Sequence, residues 1–259
     1  MSQLNHTSPH AKFHRISCNR ALVLDLVALA AREAHFPVER TFELAKVSAL
    51  RQRSARRISW TVLFMKAYAA VAANYPQLRQ AHCRWPWPRL CENAENVAMV
   101  AINRELYGED RLCWGRFITP ERRSLSELQD ALDAYQREPV EQIFRRQVRL
   151  SKFPGPLRRL ALWLNLNFAR KRRARWLGTF SMSSLAGQQA LNRFHPTLLA
   201  TSLTFGPLDE CGRALVTLVC DHRVLDGASA ARALSSLQEK LQGEIARELR
   251  SLQAPRAAA

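Results

Sequence analysis

The C-terminal third of the chain constrains the fold most. Two apolar β runs, "TLLATSLTFGPL" and "RALVTLVCDHR", are joined by the polar turn "DECGR". The second run passes directly into "VLDGASAARAL", where Gly227 opens a helix through about Leu241. Two such runs read as an antiparallel pair, and a sheet followed by a helix must bury one face against it. His222, Asp226 and Gly227 stand at the strand-to-helix junction in an HxxxDG pattern. A histidine there can have its ring fixed by a backbone carbonyl, leaving the other nitrogen free as a base. Asp226 can accept backbone N–H groups or an arginine, and Gly227 permits a close or left-handed turn. The plainer reading is a solvated turn in which Asp226 caps the helix, because three fixed residues are a weak pattern.

Upstream, the patterning mixes helices and strands. Asn19 is expected to cap a helix from about Arg20 to Glu33, with Leu22, Leu24, Leu26, Val27 and Leu29 on its apolar side and Pro37 as its stop. "ERTFELAKVSAL" alternates at first and reads as a strand entering a short helix. Ser59 caps the strongly apolar "WTVLFMKAYAAVAANY", which Pro76 ends. Strands are expected near Arg89–Glu92, Asn96–Asn103 and Arg111–Ile118. Ser124 to Glu138 is a helix whose Ser124 and Glu127 fit a capping box. "GTFSMSSLA" is strand-like. The expected architecture is one α/β (α+β) domain over 18–250, with a loose segment over 1–17 and a frayed tail over 251–259.

Charge sets this chain apart. Its 259 residues carry a formal net charge of +17, a field that attracts nucleic acid, acidic lipid, acidic protein or a phosphate-bearing ligand. No zinc finger, helix-turn-helix signal or aromatic RNA-binding motif accompanies it, so nucleic acid is not the expected partner. The six cysteines form no CxxC pair and have no histidines at zinc-like spacing, so no metal is expected. The N-terminal "MSQLNHTSPHAKFHR" has no apolar core of a signal peptide, and no apolar run reaches bilayer length. A reducing cytoplasm with free thiols is the expected setting.

The basic residues concentrate. No acidic residue occurs from Gln142 to Leu208, while eleven basic ones lie within Phe144–Trp176. They flank "LALWLNLNFA", and Leu157, Leu160, Ala161, Leu164 and Phe168 fall on one helical face. This basic amphipathic block, about 140–176, admits three readings. It can be a structural helix packed on the core with a solvated basic rim. It can lie on an anionic membrane, peripheral to the inner surface, with Trp163 and Trp176 at its edges. It can be a lid or docking site for an anionic acyl donor through Arg158, Arg159, Arg170, Lys171, Arg172 and Arg173.

"DHRVLDGASAARAL" resembles the signature of the acyltransferase domain of 2-oxo acid dehydrogenase complexes, close to DHRVxDGAxxARFL, and the same HxxxDG occurs in chloramphenicol acetyltransferases and peptide-synthetase condensation domains. Three weaker segments follow in the matching order. "GTFSMSSLAG" is similar to that family's GTFTISNLG strand, "PVERTFELAKVSAL" to its first core strand and helix start, and "FMKAYAAVAANYPQLRQAH" to its second helix. Together they span most of residues 20 to 245.

The resemblance implies a chloramphenicol acetyltransferase-like fold, a mixed, mostly antiparallel sheet flanked by helices. It implies an acyltransferase that moves an acyl group from a thioester, on coenzyme A or the phosphopantetheine of an acidic acyl carrier protein, to a hydroxyl, amine or thiol. No covalently bound cofactor is implied. His222 is then the general base, Asp226 holds the turn, and Gly227 and Arg223 are structural members of the motif. Ser183 maps to the serine that donates to the tetrahedral oxyanion. Ser181 and Ser184 are its neighbours, and strand alternation puts Ser181 on the same face. Relatives of this length are homotrimers whose histidine and serine come from adjacent chains. An N-terminal arginine partners the motif aspartate in some of them, and Arg15 or Arg20 could do so here. Lipoyl and subunit-binding domains are absent from the sequence, which points to a stand-alone enzyme. The competing expectation is a catalytically inactive relative that binds a partner or membrane through the basic block.

Overall fold

A computed structural model of the chain describes residues 16–31, 33–168 and 173–253. Helix α1 (Cys18–Ala30) leads into strand β1 (His35–Glu43), α2 (Ala45–Gln52) and α3 (Trp60–Asn74). Strands β2 (Gln80–Cys83), β3 (Arg89–Glu92), β4 (Val97–Leu106) and β5 (Glu109–Ile118) follow. Then come α4 (Leu125–Arg137), α5 (Val140–Ile143), α6 (Arg145–Ser151), α7 (Gly155–Phe168) and α8 (Arg173–Leu177). The chain closes with β6 (Phe180–Ser183), β7 (Thr201–Phe205), β8 (Arg213–Asp221), α9 (Gly227–Lys240) and α10 (Ala246–Ser251).

Six strands form one sheet in the order β1-β8-β7-β6-β4-β5, and β2 and β3 make a separate hairpin. The pairs β1–β8, β7–β8 and β4–β5 are antiparallel, whereas β6 lies parallel to both neighbours. This is the mixed, mostly antiparallel sheet expected. One face carries Val100, Phe180, Met182, Leu203, Phe205, Val216 and Leu218 into a core shared with α3, α4 and α9. Phe64 of α3 stacks on Phe205 at 4.3 Å between ring centroids. Fully burying a side chain of this size contributes about 1.5–3 kcal/mol, so α3 is fixed by its sequence of apolar residues rather than by propensity alone.

Local signals set several boundaries. The Ser59 hydroxyl accepts the Val62 N–H, and Ser124 with Glu127 makes the expected capping box. Two boundaries differ from expectation. Ser17, not Asn19, takes the N-cap position of α1. Asn19 lies inside the helix, donating to the Leu106 carbonyl at 2.8 Å and accepting from Arg111 at 3.0 Å. A buried amide satisfied on both sides anchors the helix to the β4–β5 hairpin, which a cap could not do. The helix ends at Ala30, and Pro37 sits within β1 opposite Val219. As an edge strand, β1 tolerates a residue without an N–H. Beyond α9 a π turn over Leu241–Ile245 carries the chain on into α10, past the expected end.

Helices α1, α6, α7 and α8 roof the other face of the sheet. The Gln147 side chain of α6 bonds both the N–H and the carbonyl of Trp114, at 3.1 and 2.8 Å, and so covers the β5 edge. Helix α7 is oriented against one of the three readings of its sequence, that of an apolar face packed on the core. Leu157, Leu160, Leu164 and Phe168 are exposed, while Arg158 and Asn167 are buried. The cause is Asp25 of α1, wholly buried, which takes ion pairs from both Arg158 and Arg159. A buried carboxylate requires charged partners, and this requirement turns the arginine side of α7 inward.

Candidate active site

Strand β8 delivers the histidine. The β8 backbone is paired on both sides, and the Asp221 N–H still bonds the Ala200 carbonyl at 2.8 Å. One residue on, the His222 N–H donates to the Ala34 carbonyl at 2.8 Å. The Val224 and Leu225 N–H groups fold back to the Asp221 carbonyl, and buried Leu225 plugs the turn. The Leu225 carbonyl then lies 3.2 Å from His222 Nδ1. A carbonyl only accepts, so Nδ1 carries a proton, and in the neutral tautomer Nε2 then presents a lone pair. The Phe36 ring lies 4.6 Å from the imidazole and fixes its plane. The side chain is otherwise exposed in the single chain. An oriented imidazole with one open nitrogen is the arrangement a general base needs.

Asp226 is the N-cap of α9, and its carboxylate accepts the Ser229 N–H at 2.7 Å. That bond holds its carboxyl below the usual aspartate range. No arginine bonds it among the described residues; Arg20 does not reach it, and Arg15 lies outside them. Arg223 is held by Asp221, at 2.8 and 2.5 Å, and by Glu33, which ties the turn to the segment before β1. Burial pushes the Asp221 carboxyl up despite these contacts. Gly227 has ordinary helical geometry, and an added Cβ would meet no described atom within 4 Å. The turn itself therefore does not demand glycine, contrary to the expectation from the sequence.

Ser183 ends β6 on the sheet face away from the α3–α9 core. Its hydroxyl has no hydrogen-bond partner among the described residues. Ser181 shares that face, as alternation requires, but is engaged: its hydroxyl donates to Ser202 at 2.7 Å, and Ser202 meets His195 Nε2 at 2.8 Å. Ser184 bonds the Phe205 carbonyl. Burial and the neighbouring His35 depress the His195 imidazole. His195 was not singled out from the sequence, since a lone histidine in an irregular stretch carries no pattern.

The chain does not bring Ser183 and His222 together. Register aligns Ser183 with Thr204, and Thr204 with Thr217. His222 is five positions beyond Thr217 and two strands away from β6. At about 3.3 Å per residue and 4.8 Å between strands, the separation is roughly 19 Å.

Of the basic residues named from the sequence, Arg158 and Arg159 are paired with Asp25. Buried Arg173 donates to the Leu166 carbonyl at 2.6 Å and to the Cys83 sulfur at 3.2 Å. Arg170, Lys171 and Arg172 lie outside the described residues, as do 1–15 and 254–259 of the two chain ends. All six thiols are free. Among the described residues no cluster of His, Cys, Asp and Glu could hold a metal ion, and no helix is long and apolar enough to cross a membrane.

No protein-family model matches the chain, and no curated protein sequence does. Solved structures do share its fold. A probable dihydrolipoamide acetyltransferase from Listeria monocytogenes superposes with a TM-score of 0.65 at 13% identity, covering 97% of this chain and 99% of that one. The truncated catalytic core of the 2-oxoacid dehydrogenase multienzyme complex from Thermoplasma acidophilum gives 0.66 at 16%, covering 90% and 99%. Dihydrolipoamide acetyltransferase from Azotobacter vinelandii gives 0.62 at 15%, covering 96% and 98%; a serine, a histidine and an asparagine have been studied in its catalytic mechanism. The chain therefore has the fold of the dihydrolipoamide acyltransferase catalytic cores.

Proposed function

We propose that the chain is an acyltransferase whose active site forms between two copies, with His222 from one and Ser183 from the next, in a homotrimer. The observation that carries this reading is the state of the two side chains: an imidazole with Nδ1 tied to the Leu225 carbonyl, and an unpartnered serine roughly 19 Å away in the same chain. Neither is useful alone. In the Azotobacter acetyltransferase the histidine and asparagine studied stand four positions apart, the spacing of His222 and Asp226 here. A related pyruvate dehydrogenase core is a cubic assembly, so the fold is one that self-associates.

In the reaction, His222 Nε2 takes the proton of a hydroxyl, amine or thiol acceptor as that atom attacks the thioester carbonyl. The carbonyl oxygen becomes an oxyanion, which the Ser183 hydroxyl of the adjoining copy stabilises. Collapse of the intermediate breaks the C–S bond, and the leaving thiolate recovers the proton from the imidazolium. The thiol leaves as free coenzyme A or free phosphopantetheine. Asp226 moves no proton; it fixes the turn that sets the histidine. Thiol release from acyl-coenzyme A or an acyl carrier protein tests the reading. His222→Ala should lower kcat roughly 100- to 10,000-fold and Ser183→Ala roughly 100- to 1,000-fold. Equal activity of the His222 variant, or no turnover of any thioester, overturns it.

A second reading, a non-catalytic protein that docks on an anionic membrane, is favoured by the outward face of α7. Trp85, Trp163 and Phe168 cluster there with ring centroids 5.1 to 6.3 Å apart, on a chain of net charge +17. Exposed aromatics beside basic residues suit a headgroup interface. Flotation with anionic liposomes, wild type against Leu160→Asp/Trp163→Asp, decides it: loss of co-flotation supports the reading, and unchanged or absent flotation in both removes it.

A further inference from the structure

Between the sheet and the roof of α1 and α7 lies a cavity of about 320 Å³. Leu22 and Leu26 of α1, Leu162 of α7 and Trp176 of α8 wall one side of it. Ala101 and Trp114 of the sheet wall the other. Its polar groups are few, and those on β6 are Ser181 and Ser183. Ser181 is engaged with Ser202, which leaves the Ser183 hydroxyl as the β6 group free to meet a ligand.

We infer that this cavity is the acyl-chain site, and that the donor carries a medium-length, unbranched apolar chain rather than an acetyl group. The inference deepens the acyltransferase reading and rests on it for the placing of the thioester carbonyl. An oxyanion held at Ser183 puts the adjoining acyl carbons at the cavity entrance. From there the walls are mainly apolar, with Gln147, Asn192 and His195 among the few polar side chains that line them. An apolar cavity of about 150 Å³ takes a six-carbon ring, so this one takes a chain of about a dozen carbons. Its size is at the lower end of the range of ligand pockets, large for an acetyl group and too small for a longer chain without an exit. The roof is held over the site by the paired contacts of Arg158 and Arg159 with Asp25, at the turn of α1 between Leu22 and Leu26.

The test is a chain-length series of saturated acyl-coenzyme A thioesters on the wild-type protein and on two filling variants from opposite walls, Ala101→Phe and Leu162→Trp. Their folding is checked by circular dichroism and thermal melting. Wild-type kcat/KM is expected to rise at least about tenfold from two carbons to an optimum of about eight to twelve, then fall. Each filling variant should move the optimum to about four to six carbons. A flat series, or an unshifted optimum in both folded variants, overturns the inference while leaving acyl transfer standing. If no thioester is turned over, the catalytic reading fails by itself, and binding of dodecanoate by calorimetry then decides the cavity. Saturable binding weakened at least about tenfold in both variants upholds an acyl-chain site; no binding, or binding they do not weaken, refutes it.

Discussion

Replacing Asp25 tests the physical basis of the roof. Its carboxylate is fully buried on α1 and holds two arginines of α7, Arg158 at Oδ2 and Arg159 at Oδ1, the latter at 3.0 Å. Arg158 is itself buried, while the Arg159 side chain is about half exposed. In Asp25→Ala, Arg159 simply returns to water, a loss of about 1 kcal/mol or less. Arg158 cannot. Removing one member of a buried pair costs about 3–5 kcal/mol because a charge is left without its counterion. The Phe153 carbonyl still accepts from Arg158 at 2.6 Å, which favours the lower end, about 3 kcal/mol. For a chain of this size that is a fall in Tm of about 6–12 °C. The double variant Asp25→Leu/Arg158→Met removes both charges and fills the space, and should return to within about 1 kcal/mol of wild type. Chemical denaturation of the three proteins supplies the numbers. A Tm within a degree of wild type for Asp25→Ala, or a double variant as unstable as the single, would refute the argument that buried charge orients α7.

Three further outcomes follow from the geometry. Burial depresses both His35 and His195 below 6.5, so each is neutral in the folded chain at neutral pH. The stabilisation is complete above pH 6.5 and is lost as pH falls through the folded-state values, because the unfolded chain then binds protons the folded one resists. Tm should drop between pH 7 and 5, and His195→Gln should flatten that drop; an unchanged slope would contradict it. At Asp226, Asn remains a good cap and Ala does not, so Asp226→Asn should keep both Tm and turnover near wild type while Asp226→Ala lowers both. Equal loss in the two would instead assign the carboxylate a charge-dependent role. Gly178 has φ +89°, and a Cβ there would collide with Met99. Gly178→Ala should therefore destabilise by about 1–3 kcal/mol, read by urea titration.

Much of the frame is legible locally. Ser59 and the Ser124–Glu127 pair mark helix starts because caps are short-range bonds. The apolar runs around Leu203 and Leu218 mark core strands because both faces of β7 and most of β8 are buried. His222 is recognisable because its ring partner, the Leu225 carbonyl, is three residues away. Other features depend on distant partners. Periodicity identifies the apolar face of α7 but not which face is buried, and that is settled by Asp25, 133 positions away. A carboxylate between Leu24 and Leu26 is the available hint. Asn19 reads as a cap until the β4–β5 hairpin claims it. The separation of Ser183 from His222 requires the strand order, which no local pattern encodes. The cavity needs α1, α7 and the sheet together.

The central claim is that one site is completed by two copies of the chain. Subunit mixing tests it most directly. His222→Ala and Ser183→Ala proteins each lose at least about 100-fold in turnover by this account. If equal amounts are dissociated, mixed and reassembled at random, about one quarter of the interfaces pair an intact His222 with an intact Ser183. The mixture should recover about one quarter of wild-type thioester turnover. A mixture no more active than either variant alone would show that His222 and Ser183 do not meet across an interface.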